Sequence, residues 1–142
     1  MICGIQYLHV NKIAHLNICP ANILLTVDGK LKIADFTLAQ SFRGPRDGEK
    51  TKIELSSSNH RCPSYLAPEV FVERQSDPRA VDMWAFAITY METKTGKHLL
   101  NLAAEGGDEY YDKYLQDRHG LWGYRPVENL ENVSYSIPFK QH

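Results

Sequence analysis

Apolar positions along the chain change their period several times, and each change marks an element. Ile2, Ile5 and Leu8, with Tyr7 nearby, recur at helical spacing, and the run stops at Val10-Asn11-Lys12, which predicts a helix ending there. Two short alternating runs follow. Ile23 and Leu25 lie on one side, Leu31 and Ile33 answer on the other, and Asp28-Gly29 stands between them, the strongest short-range signal for a β-hairpin. From 39 to 59 the pattern dissolves into charged, turn-rich and small polar residues, broken only by Ile53 to Leu55, which predicts a surface loop. Trp84, Phe86, Ile88, Tyr90 and Met91 surround a helix predicted over 80–95, with Gly96 as its stop; apolar groups on every side predict burial rather than an amphipathic face. Tyr110, Tyr111, Tyr114 and Leu115 fit one face of a further helix over 108–116, read as packing with a docking surface as the alternative. Beyond Leu121 there is no clear period.

The hairpin gives the chain its chemistry. The polar loop from His15 to Asn22 feeds its first strand, and Asp35 leaves its second. The turn therefore brings Asn22 and Asp35 together, and their oxygens suit Mg²⁺, which takes one or two protein groups and completes its shell with water and phosphate. The alternative is that both side chains only hydrogen-bond the loop into shape.

Composition narrows the rest. With 142 residues, 43% hydrophobic and 23% charged, the chain has the size of one globular domain. A net charge of −1 gives no reason to expect nucleic acid or an anionic membrane as partner. Cys3, Cys19 and Cys62 are odd in number and widely spaced, which argues against a disulfide framework and for a reducing compartment. No second ligand pair accompanies His60-Arg61-Cys62, so zinc is not expected. Cys19 with His15 as thiol and base is also weaker than a plain substitution. The N-terminus has no signal-peptide pattern and the longest apolar stretch is too short for a bilayer, so a soluble cytoplasmic or nuclear protein is the default.

The segment His15-Leu16-Asn17-Ile18-Cys19-Pro20-Ala21-Asn22, followed by Asp35-Phe36-Thr37, resembles the catalytic loop and metal-binding segment of eukaryotic protein kinases, H-R-D-x-x-x-x-N and D-F-G. Ala67-Pro68-Glu69 matches the A-P-E that closes a kinase activation segment, and Asp82-Met83-Trp84-Ala85-Phe86 resembles the start of the helix beyond it. The resemblance implies an α+β, mainly α fold: a kinase C-lobe with a short β-hairpin over residues 1–142, incomplete at both ends. Its catalytic loop falls at 15–22, its activation segment at 35–69 and its central helix at 80–95. Pro20 resembles the Ser/Thr form of the loop. The glycine-rich loop, strand lysine and helix glutamate of the N-lobe have no counterpart, so the resemblance implies ATP and Mg²⁺ held weakly or not at all by this chain alone.

Departures from the pattern fall on the chemistry. Asn17 replaces the catalytic aspartate, and an amide cannot carry a proton away at neutral pH, a loss of about 10²–10⁴ in rate. Cys19 stands where the family carries a lysine that neutralises the transferred group. Leu16 replaces an arginine that receives activation-segment phosphate, and Thr37 replaces a glycine. Arg61 and Cys62 take the places of a glycine and a threonine, and the resemblance sets Asn17 facing Cys62. His15, Asn22, Asp35 and Phe36 are kept, as are Glu69 and Asp82. Asp82 is expected to bind the catalytic-loop backbone. Glu69 lacks the late arginine that usually pairs with it, so it needs water or another partner. Thr51, Ser56, Ser57 and Ser58 are candidate phosphorylation sites. The leading expectation is a catalytically impaired Ser/Thr-type domain, a pseudokinase acting as a regulatory or scaffolding module through protein partners. The alternatives are an atypical ATP- and Mg²⁺-dependent Ser/Thr kinase, if an N-lobe is supplied, and an inactive truncated fragment.

Overall fold

The computed structural model describes residues 1–42, 52–55 and 62–116. The expectations for 121–142, Thr51 and Ser56 to Ser58 lie outside the described residues. Helices and short antiparallel strand pairs alternate in an α+β arrangement. Helix α1 spans Ile2–Val10, β1 Ile13–Ala14, β2 Ile23–Leu25, β3 Leu31–Ile33, β4 Gln40–Ser41 and β5 Ile53–Glu54. Helix α2 spans Glu69–Val72, β6 Gln75–Ser76, α3 Pro78–Thr95 and α4 Glu109–Gln116. One-turn 3-10 helices occupy Pro20–Asn22 and Pro63–Tyr65. Among the described residues no helix is long and apolar enough to cross a membrane.

The β2–β3 hairpin pairs Ile23 with Ile33 and Leu25 with Leu31. Its loop is one residue longer than a two-residue turn. Gly29 N–H donates to Thr26 O, and Gly29 sits at φ +75°. That is the three-residue connection in which a type I turn is followed by a left-handed glycine. The hairpin seats on α1 because Gly4 has no side chain: a Cβ there would lie 3.1 Å from Ile33 Cδ1. Ile33 thereby reaches the small core of Ile5, Ile18 and Ala85, and Asp35, two residues on, is held at a fixed place. Strands β1 and β4 pair Ile13 with Ser41, and β5 and β6 pair Ile53 with Ser76.

Helix α3 begins two residues earlier than its apolar pattern indicates. Asp77 is its N-cap, accepting from Arg79 N–H at 2.9 Å, and Pro78 fills the first helical position, where its missing N–H is no loss. Gly96 ends it at φ +64°. The helix is not buried all round. Val81, Asp82, Ala85, Ile88 and Thr89 face inward, whereas Met83 and Tyr90 are exposed. In α4, Tyr111 is buried and Leu115 packs beside it, four residues apart, but Tyr110 is exposed and outside that face. Asp108 caps α4, accepting from Tyr110 and Tyr111 N–H through Oδ1 and from Asn101 through Oδ2.

Two larger clusters complete the interior. Leu16, Phe42, Leu66, Ala67, Val70 and Val81 form one, around the start of α3. Ile88, Leu99, Leu100, Ala103 and Tyr111 form the other, at its far end. Tyr65 packs between the second of these and the small core of Ile5, Ile18 and Ala85, and donates to Glu92 Oε2 at 2.5 Å.

Candidate active site

The loop between β1 and the first 3-10 helix turns on a carboxylate from another element. Asp82 is fully buried in α3. Its Oδ2 accepts from His15 N–H at 2.9 Å and its Oδ1 from Leu16 N–H at 2.7 Å, and His9 Nε2 lies 2.8 Å from Oδ2. These bonds hold Leu16 in the left-handed region at φ +61°, a conformation that costs an ordinary L-residue about 1–2 kcal/mol. Leu16 repays the strain by burial in the cluster with Leu66 and Val81. At this position the chain has a core residue rather than a cation.

His15 is buried as well, and its neighbours define its tautomer. Ala34 O can only accept, so Nε2, at 3.0 Å, carries the proton; Asn17 N–H can only donate, so Nδ1, at 3.3 Å, is bare. Burial pushes the imidazole below its ordinary value, against the upward pull of the Ala34 hydrogen bond and of the Asp82 and Asp35 carboxylates. A neutral ring is what these two bonds require. The ring of Phe36 meets it edge-on at 4.7 Å.

Asp35, at φ +62°, follows β3 and faces the loop. Its Oδ2 accepts from Asn17 Nδ2 at 3.0 Å, and its Oδ1 accepts from Thr37 Oγ1 at 2.6 Å and from Thr37 N–H at 3.3 Å. Asn22 donates through Nδ2 to Asn17 O at 2.8 Å, and Ala34 N–H donates to Asn22 O at 2.9 Å. The structure thus brings His15, Asn17, Asn22, Asp35 and Phe36 together around one strand end. Two of the unusual residues, Asn17 and Thr37, between them reach both oxygens of Asp35.

This arrangement bears on a divalent cation. Asn22 and Asp35 are oxygen donors of the kind Mg²⁺ takes, and a cation on Asp35 competes for its oxygens with the amide of Asn17 and the hydroxyl of Thr37. Among the described residues no group of three or more His, Cys, Asp or Glu side chains is placed to hold a metal.

Asn17 and Cys62 line one small cavity, as the resemblance implies, but their side chains bond elsewhere. The Asn17 amide is spent on Asp35, and Cys62 instead donates its thiol to Cys19 Sγ at 3.6 Å. Cys19 is buried in the lysine position. Glu69 starts α2 half-buried, and among the described residues no hydrogen bond or ion pair reaches its carboxylate.

A catalytic-type loop pinned to a buried helix aspartate, a hairpin and a carboxylate at its exit define a protein-kinase-type site. The chain matches the protein kinase domain over residues 1–135 and belongs to that family. It is similar to serine/threonine-protein kinase hal4 of Schizosaccharomyces pombe, 43% identical over 139 residues, covering 94% of this chain and 21% of the relative. It is also similar to serine/threonine-protein kinase HAL4/SAT4 of Saccharomyces cerevisiae, 39% identical over 142 residues, covering 96% and 23%. A probable HAL5-like serine/threonine-protein kinase of Kluyveromyces lactis is 33% identical over 135 residues, covering 94% and 17%. The chain spans about a fifth of the length of these curated relatives. Ser/Thr protein kinases of this kind use ATP and Mg²⁺ in general.

Proposed function

We propose that this domain is a catalytically impaired member of the Ser/Thr kinase family, a pseudokinase that acts by binding protein partners in the cytoplasm or nucleus. The observation that carries the reading is the Asn17 Nδ2 bond to Asp35 Oδ2 at 3.0 Å, with Thr37 Oγ1 on the other oxygen. Asn17 offers no base for a substrate hydroxyl, and its hydrogens take up an oxygen on which a metal depends. The network holds the loop in shape through its own side chains, which suits a regulatory or scaffolding surface.

A second reading is supported by the relatives, which are named serine/threonine-protein kinases. In it Asn17 orients the substrate hydroxyl, and Asn22 and Asp35 hold Mg²⁺ once ATP and an N-lobe are present.

Phosphoryl transfer from labelled ATP by the full-length protein separates the two. The pseudokinase reading expects transfer at least about 10²-fold slower than in the Asn17→Asp, Cys19→Lys double variant. Equal rates, with activity abolished by Asp35→Ala, would overturn it in favour of the atypical kinase.

A further inference from the structure

Cys19 and Cys62 stand on two matching turns. Each precedes a proline and begins a one-turn 3-10 helix, Pro20–Asn22 in the loop and Pro63–Tyr65 near the end of the activation segment. A residue before proline is restricted towards extended backbone; Cys19, at φ −159° and ψ 165°, is fully extended, and Cys62 lies at φ −126° and ψ 71°. The two sulfurs are 3.6 Å apart across a sequence separation of 43 residues. A disulfide needs about 2.05 Å, so the sulfurs have roughly 1.5 Å left to close. Cys19 is 2% exposed, whereas Cys62 is only half-buried. An oxidant therefore meets Cys62 first, and Cys19 waits behind it.

We propose that Cys19 and Cys62 are a redox pair, converted by a hydroperoxide into a reversible disulfide that fastens the end of the activation segment to the catalytic loop. Cys62 reacts as the small thiolate fraction that grows as pH rises, since burial holds its thiol above the ordinary value: its sulfur attacks one peroxide oxygen, the O–O bond breaks, and with hydrogen peroxide the other oxygen takes up the thiol's proton and leaves as water. Cys62 is left as a sulfenic acid. The Cys19 sulfur then attacks Cys62 Sγ, the S–OH bond breaks, and the hydroxyl leaves as a second water with the Cys19 proton. Two thiols and one peroxide give one disulfide and two waters, the two electrons passing from sulfur to oxygen. A dithiol reductant reverses the link. The inference stands apart from phosphoryl transfer, since neither sulfur needs nucleotide, metal or substrate.

The test uses the 142-residue chain with the exposed Cys3 replaced by serine, so that two thiols remain. After hydrogen peroxide and alkylation, peptide mass analysis should find the Cys19 and Cys62 peptides joined, two hydrogens lighter than their sum and separated by dithiothreitol. Unfolding in urea before peroxide should lower the yield at least about tenfold, because the 43-residue separation is then an open loop. In Cys19→Ser, dimedone should trap Cys62 as its sulfenic acid. Two freely alkylated thiols after peroxide would overturn the proposal, as would Cys62 driven to sulfinic acid beside a free Cys19. The linked peptide is read in the chain that keeps both cysteines, so a poorly folding variant cannot decide the result.

Discussion

Asn17 donates through Nδ2 to Asp35 Oδ2 at 3.0 Å, while its own backbone carbonyl receives Asn22 Nδ2 at 2.8 Å. One residue thus links the three positions that carry the chemistry of this loop, through its side-chain amide to Asp35 and its backbone carbonyl to Asn22. Replacing the amide with a carboxylate should reverse the sign of the contact. Asn17→Asp loses a hydrogen bond to a charged group and sets two carboxylates side by side, which should destabilise the metal-free chain by about 2 kcal/mol. Millimolar Mg²⁺ should restore part of that loss in the variant and leave the unsubstituted chain unchanged. Urea midpoints with chelator and with Mg²⁺ read both effects.

Asp82 is the structural centre of the site. It is fully buried and serves His15 N–H, Leu16 N–H and His9. Asp82→Ala strands two buried amides and releases the left-handed Leu16, so it should cost about 3–5 kcal/mol. Equilibrium denaturation should show the loss directly. Asp82→Asn, which keeps an acceptor, should cost less.

The neutral His15 makes stability fall on the acid side of neutrality. Its folded-state affinity for a proton lies below the ordinary value of 6.5, chiefly through burial, so the unfolded chain binds the proton first. The contribution is therefore complete above about pH 6.5 and declines as pH falls below it, by at most about 1.4 kcal/mol per unit. His15→Gln should be less stable throughout but lose this part of the slope, as denaturant midpoints between neutral pH and about pH 5 can show. A later loss belongs to Asp77 and Asp108. Their hydrogen bonds, to Arg79 for the first and to Asn101, Tyr111 and Tyr110 for the second, outweigh desolvation and hold both below the ordinary 3.8. The stability they supply is present above that value and disappears as pH drops through the lowered ones.

Cys62 has the opposite perturbation. Burial, then the contact with Cys19, pushes its thiol up to about 11. Since the thiolate is the nucleophile, its alkylation by iodoacetamide should be slow near neutrality and rise about tenfold per pH unit up to that value. Following the rate by mass in the Cys3→Ser chain tests this; a rate that levels off near pH 8 would place the thiol in the ordinary range.

Much of this site can be read from residue order, because hairpins and loops are local. Asp28-Gly29 between two apolar pairs announces the β2–β3 turn, and the turn alone brings Asn22 towards Asp35. The role of Asp82 also follows from the family pattern. Tertiary pairings do not. Asn17 against Asp35 and Cys19 against Cys62 depend on how the loop lies across the hairpin exit and the 63–65 turn, and no periodicity encodes that. Strands of two residues, such as β1 and β4, are too short to show an alternation. The start of α3 was available: Asp77-Pro78 is a cap followed by a first-turn proline, but the dense apolar run beginning near Trp84 draws the boundary inward. Tyr110 misleads for a related reason, since a Tyr-Tyr pair on a helix cannot put both rings on one face.

In the proposed pseudokinase, internal donors stand at Asp35 where an active kinase holds a cation. Calorimetric titration of the full-length protein with ATP, with and without Mg²⁺ and in parallel with Asp35→Ala, tests this most directly. A pseudokinase of this kind should show no Mg²⁺-dependent binding and the same titration for the variant; Mg²⁺-dependent binding that vanishes in Asp35→Ala would rule it out.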